Sequence, residues 1–225
     1  MYPVNLNVAG RLCLVVGGGR VALRKIRNLV EHGARVRVVA PEVVPEVQAL
    51  AGGGQIELLL RGFQQGDASG AFLVFAATDQ VEVQAVAAAD ARKYGALLNS
   101  ADSPELCDFQ LPAYFCRGGF QLAISTDGGS PAFSRFIRQK LEDEFGDEYE
   151  YSLCLLAIIR KKALAAGLDV GHNQKMFRKL LDDDLVDCIK SESWANLSKI
   201  LYCHLPKQID AEEIMEDFRG KCCQN

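Results

Sequence analysis

One short stretch limits what this chain can fold into more than any other. Leu12 to Val16 is an unbroken apolar run, Gly17-Gly18-Gly19 follows at once, and Val21, Ala22, Ile26, Leu29 and Val30 then recur at helical spacing up to Gly33. An apolar run without alternation reads as a strand buried on both faces, which calls for a parallel sheet covered by helices. Val36 to Val39 supplies the next strand, ended by Pro41. Strand, glycine turn, helix and strand together open an α/β sheet. Within it, Gly17-x-Gly19-x-x-Ala22 has the spacing of a dinucleotide-binding turn. The first glycine permits the tight turn, the second admits a pyrophosphate close to the backbone, and a small third residue lets helix and strand pack closely. Phosphates then meet the free N–H groups and the dipole of the helix N-terminus. The other reading of Gly17, Gly18 and Gly19 is a plain connection that binds nothing.

The acidic residue that usually follows about 20 residues on, at the end of the second strand, is not in that place. Glu42 stands just beyond Val39-Ala40-Pro41 and can accept a bond from a ribose hydroxyl. No arginine stands at the strand end to meet a 2′-phosphate, which favours NAD over NADP.

Further elements follow the same pattern. Pro45 to Leu50 reads as a helix, Ile56 to Leu60 and Phe72 to Ala76 as strands, Val81 to Tyr94 as a helix, and Leu97-Leu98 as a short strand. Thr78-Asp79 ends one strand and Asn99-Ser100-Ala101-Asp102 another. Ligands of open α/β sheets lie outside the carboxyl ends of the strands, so both clusters border the crevice of the glycine turn. Asp79 serves equally as a cap for the helix after it, and Asp102 as a turn residue before Ser103-Pro104.

Beyond residue 112 the pattern changes. Tyr114 to Cys116 and Phe120 to Ile124 read as two strands around Arg117-Gly118-Gly119, and Ser125 to Pro131 as a polar glycine loop. Ser130 suits a helix cap with Pro131 at the first helical position. The helix Ala132 to Phe145 groups Phe133, Phe136, Ile137 and Leu141 on one face and Arg135, Arg138 and Lys140 on the other. Hydroxyls, backbone N–H groups and guanidinium forks suit a polycarboxylate or phosphate, although a solvated helix face reads the same way. Tyr151 to Ala166, Gln174 to Ile189, Trp194 to His204 and Asp210 to Phe218 read as helices. The fold expected is α/β: a Rossmann-like parallel sheet over 1–112, a small α+β segment over 113–146 and a helical domain over 147–225.

Composition excludes other classes. The 225 residues are 49% apolar and 24% charged, ordinary for a packed domain and not for a disordered chain. The net charge of -4 argues against wholesale nucleic-acid binding. No apolar run approaches the ~18 residues of a membrane span. Met1 to Leu6 has no basic stretch ahead of an apolar one, so a secretory leader is not expected and a cytoplasmic location is. The eight cysteines are dispersed with no C-x-x-C, and read as buried or incidental thiols in a reducing compartment. His32 beside Gly33 suits a helix C-cap, and no G-x-S-x-G or H-E-x-x-H occurs.

In its order of motifs the chain resembles a known family. Val15-Val16-Gly17-Gly18-Gly19-Arg20-Val21-Ala22-Leu23-Arg24-Lys25, Val39-Ala40-Pro41, Ala76-Ala77-Thr78-Asp79, Asn99-Ser100-Ala101-Asp102, Phe109-Gln110-Leu111-Pro112, Ile124-Ser125-Thr126 and Ser130-Pro131 are similar to precorrin-2 dehydrogenase, also the N-terminal module of siroheme synthase. The resemblance covers about the first 145 residues; the helical remainder is similar only in general character.

It implies oxidation of precorrin-2, a tetrapyrrole bearing eight carboxylates, to sirohydrochlorin with NAD as hydride acceptor. It also implies homodimers whose subunit interface is the middle segment. The family's catalytic aspartate falls on Asp102. Cofactor contacts fall on the glycine turn with Arg20 and Val21, and on Pro41 and Glu42; Thr78, Asp79 and Asn99 line the same side. The hydroxyl that holds the tetrapyrrole region falls on Thr126, where relatives carry Ser; the polar loop and basic face add Ser125, Ser130, Arg135 and Arg138 as candidate substrate contacts. Asp127 departs from the family pattern and adds a negative charge there. Some members also insert ferrous iron, which is one alternative, with the metal residues unknown. A non-catalytic NAD-sensing module is another, although it leaves Ser125 to Lys140 without a purpose.

Overall fold

The computed structural model describes residues 1–101 and 103–222 and divides into two compact units, Met1–Leu111 and Pro112–Asn225. Unit 1 holds five parallel strands: β1 (Leu12–Val16), β2 (Arg35–Ala40), β3 (Ile56–Leu60), β4 (Leu73–Ala76) and β5 (Leu97–Ser100). Their order is β3-β2-β1-β4-β5. The chain thus runs outward from β1 on one side, then returns to place β4 on its other side. That reversal opens a crevice beyond the carboxyl ends of β1 and β4, where the glycine turn begins. Register aligns the ends: Val16 pairs with Val39 and Ala76, and Ala76 pairs with Ser100.

The uninterrupted apolar strands are explained by packing on both faces. Cys13, Val15, Val36, Val38, Leu73 and Phe75 face one core, completed by Ala22, Ile26 and Leu29 of α1 (Arg20–Glu31) and Val47 of α2 (Pro45–Gly52). Leu14, Val16, Val39, Val74, Ala76 and Leu98 face the other, completed by Ala87, Ala88 and Ala91 of α3 (Val81–Tyr94). Each fully buried Val, Leu or Ile stabilises the fold by about 1.5–3 kcal/mol. The alanine stripe brings α3 close to the sheet, and Gly95 ends the helix in the left-handed region at φ 68°. His32 caps α1, its ring nitrogen 2.7 Å from Asn28 O.

Unit 2 begins with the hairpin β6 (Ala113–Arg117) and β7 (Phe120–Ile124), followed by α4 (Pro131–Glu144). Then come α5 (Glu148–Ala165), α6 (Val170–Asp182), α7 (Leu185–Lys190), α8 (Trp194–His204) and α9 (Ala211–Cys222). Leu155, Ile159, Leu180, Leu185, Leu197, Leu201, Ile214 and Phe218 form their core, each fully buried.

Two expectations change. The single helix read over Gln174 to Ile189 is two helices, because Asp184 takes a left-handed conformation at φ 56° and turns the chain. On α4, Phe133 is 55% and Phe136 59% exposed. The reading of the cysteines as thiols holds for Cys13, Cys107, Cys116, Cys188 and Cys203 but not for Cys154, which is disulfide-bonded.

Gly18 is buried, and an added Cβ would overlap Glu42 O and come within 2.6 Å of Val43 Cγ1. Gly18→Ala is therefore expected to destabilise unit 1 by about 1–3 kcal/mol, measured by urea denaturation. Burial pushes the Cys13 thiol up from 9.0 to about 11, the Leu73 backbone bond opposing it. The unfolded thiol ionises first, so its contribution is intact below pH 9 and is lost as pH climbs towards 11. That loss, on the order of 2–3 kcal/mol, is expected in the wild type and absent in Cys13→Ala when the two are denatured across this range.

Candidate active site

The site in unit 1 is built from backbone. Gly17 turns the chain out of β1 at φ 124°, and its N–H donates to Val39 O at 2.9 Å. An added Cβ there would overlap the Ala77 carbonyl at the end of β4. Gly18 lies against the segment after β2, and Val44 N–H donates to its carbonyl at 2.9 Å. Gly19 differs from both: among the described residues nothing lies within 4 Å of an added Cβ. It is the N-cap of α1 and brings no side-chain cap, and the first helical bond runs from Leu23 N–H to Gly19 O. The N–H groups of Arg20, Val21 and Ala22 are therefore the ones an α-helix cannot satisfy itself, and they border the open space at Gly19. A pyrophosphate fits this cradle: room where a side chain would stand, donors, and the positive end of a dipole.

The remaining cofactor candidates are spread along the same edge. Arg20, Pro41, Glu42 and Asp79 are exposed, and Thr78 is half-buried. Asp79 makes no cap bond to α3, whose N-cap is Gln80; Thr78 Oγ1 accepts from Gln80 N–H at 3.3 Å instead. Asn99 is turned into the protein. Its Oδ1 accepts from Lys25 Nζ at 2.8 Å and its Nδ2 donates to Phe109 O at 3.0 Å. Asp102 lies outside the described residues.

Two buried polar side chains at this edge went unnoticed in the sequence. Lys25 is 8% exposed, with Nζ 5.0 Å from the centre of the Phe75 ring. Burial holds its ammonium below the usual lysine range, the Arg24 charge adds to this, and Cys107 opposes it. Gln84 is 2% exposed and binds Thr78, Ser100 and Ser103. Both were legible as polar residues on apolar helical stripes, Gln84 sharing its stripe with Ala87, Ala88 and Ala91.

The second cluster belongs to unit 2. Thr126 Oγ1 accepts from Ser130 N–H at 3.2 Å and lies 3.1 Å from Ser134 Oγ. Ser125 Oγ accepts from Asp127 N–H at 3.2 Å, and Ser130 Oγ caps α4 by accepting from Phe133 N–H at 3.2 Å. Arg135 is exposed, whereas Arg138 is paired with Glu142 and so meets an anion only in competition with that carboxylate. Among the described residues no group of three or more His, Cys, Asp or Glu converges as a metal site.

The sheet order, the glycine turn at its reversal and the open start of α1 define a dinucleotide-binding α/β protein. Residues 4–113 match the family model described as putative NAD(P)-binding, and residues 117–144 the model described as sirohaem biosynthesis protein central. The siroheme synthase of Pseudomonas aeruginosa (strain LESB58) is 35% identical over 203 residues, covering 90% of this chain and 44% of that protein. The siroheme synthase of Pseudomonas putida (strain W619) is 37% identical over 185 residues, covering 82% and 40%. The chain thus spans about two fifths of the length of these curated relatives. A solved structure of SirC, precorrin-2 dehydrogenase, superposes with a TM-score of 0.71 at 26% identity, covering 98% of this chain and 100% of that one. The chain is thus similar to precorrin-2 dehydrogenase over nearly its whole length and to siroheme synthases over part of theirs. Among the described residues no helix is long and apolar enough to cross a membrane.

Because Gly19 is open, Gly19→Ser is expected to keep the stability of the free protein within about 1 kcal/mol, serine being a good N-cap. The same change is expected to weaken binding of a nicotinamide dinucleotide, NAD or NADP, at least about tenfold by filling the pyrophosphate cradle, as read by calorimetry.

Proposed function

We propose that this protein oxidises precorrin-2 to sirohydrochlorin, with NAD as hydride acceptor, in siroheme synthesis. The observation that carries the reading is the likeness to SirC, precorrin-2 dehydrogenase, over nearly the whole of both chains, together with the open glycine cradle at the sheet reversal. Gly17, Gly18, Gly19, Arg20, Val21 and Ala22 hold the pyrophosphate. Glu42, with Pro41, Thr78 and Asp79, meets the rest of the cofactor along the same edge, and Asn99 braces that edge from within. Glu42 beyond β2, without an arginine at the strand end, supports NAD over NADP. When bound, NAD supplies the hydride acceptor.

Removing a hydride from a CH–CH unit to make a double bond also removes a proton, so the protein must provide a base. Asp102, two residues beyond β5, is assigned that role. The carboxylates of the tetrapyrrole are assigned to Ser125, Thr126, Ser130, Arg135 and Arg138, whose donors suit anions. The segment 113–146 is assigned to a homodimer interface, and the exposed Phe133 and Phe136 on α4 support this.

The purified protein, mixed anaerobically with precorrin-2, is expected to form sirohydrochlorin when NAD is added, followed by absorbance. No product with either dinucleotide would reject the reading. Asp102→Asn is expected to lower kcat about a hundredfold or more while the Kd for NAD stays put, the split that marks a base rather than a binding group.

A further inference from the structure

At the carboxyl edge of unit 1, β4 runs out into Thr78, β5 ends at Ser100, and the segment beyond β5 reaches Ser103 before a short 3-10 turn, Pro104–Leu106. One side chain touches all three. Gln84, in the first turns of α3, donates from Nε2 to Thr78 O at 2.6 Å. Its Oε1 accepts from Ser100 Oγ at 3.1 Å and from Ser103 Oγ at 2.9 Å. The stripe it shares, Ala87, Ala88 and Ala91, packs by shape alone. An apolar residue of equal size would pack there as well; what the amide adds is three bonds.

The neighbouring contacts hold the same strap from its other end. Cys107 Sγ accepts from Ser100 N–H at 3.1 Å, and Leu98 and Asp108 exchange bonds, Leu98 N–H to Asp108 Oδ2 at 2.9 Å and Asp108 N–H to Leu98 O at 2.8 Å. Ser100 and Ser103, bound to one oxygen, flank residues 101 and 102 in the sequence.

We propose that Gln84 is a positioning residue for the dehydrogenase: by holding Ser100 and Ser103 on one buried oxygen, and tying that amide to Thr78, it fixes both ends of the segment that carries Asp102. The role rests on the reading of Asp102 as the base. It acts through the segment and not on the pyrophosphate cradle, so it separates turnover from cofactor affinity.

Gln84→Leu keeps the volume and removes all three bonds. Its kcat is expected to fall at least about tenfold, since small displacements of a reacting group cost that much or more. Its Kd for NAD, by calorimetry, is expected to stay within about twofold, and amide exchange of residues 98–108 to quicken. The double variant Ser100→Ala/Ser103→Ala, which keeps Gln84 and its Thr78 bond, is expected to show the same loss. Adding Gln84→Leu to that double variant is expected to cost little more, because all three side chains act as one unit. A Gln84→Leu enzyme with wild-type kcat overturns the proposal. So does a serine double variant with wild-type kcat, which alone decides the matter if Gln84→Leu does not fold. A wild-type protein that turns over no precorrin-2 overturns the functional reading and this role with it, whereas an active wild type beside equally active variants overturns the role alone.

Discussion

Two backbone-on-backbone contacts hold the site together. At Gly17 the chain leaving β1 passes against the Ala77 carbonyl, and at Gly18 it passes against the Glu42 carbonyl. Neither approach leaves space for a Cβ, and Gly17 also needs a positive φ. These contacts draw the ends of β1, β2 and β4 to one level, so that Gly19 and the first turn of α1 open onto the crevice. The chemistry of the cradle then needs no charged side chain: donors come from the helix start, and the space comes from the absence of atoms at Gly19.

Around this backbone frame the edge is stiffened by buried polar groups, most of them neutral. Gln84 ties β4 to β5 and to the segment after it. Asn99 ties Lys25 to Phe109. Lys25 is the costly member, an ammonium buried beside an amide and an aromatic ring with no carboxylate among the described residues bonded to it, and burial weakens its hold on its proton. Amides suit this work because they accept and donate at once and carry no charge to desolvate. In unit 2 hydroxyls play a similar part, with Thr126, Ser130 and Ser134 bonded together at the start of α4.

Much of this was legible in the residues. The strands announce themselves by unbroken apolar runs, and β5 proves longer than its two leucines suggest because Asn99 and Ser100 complete it with buried polar side chains. Ser130 and Pro131 foretold the start of α4, and Gly95 the end of α3. Hidden from that reading were the pairing of Arg138 with Glu142, the break at Asp184 and the exposure of Phe133 and Phe136. Each depends on what else lies beside the element. Helical periodicity tells which residues share a face, but not whether anything covers it.

By itself the sequence determined the order of elements in unit 1 and the position of the glycine turn. Those depend on local causes: the sign of φ at Gly17, the spacing of apolar side chains and the caps at helix ends. Only the tertiary structure decided that Gly18, outside the spacing of the motif, is as closely packed against backbone as Gly17, and that Gln84 and Lys25 serve the edge instead of the surface. Their partners lie far along the chain, in Glu42, Ser100, Ser103 and Asn99, and a bond between distant segments exists only once the sheet has brought them together.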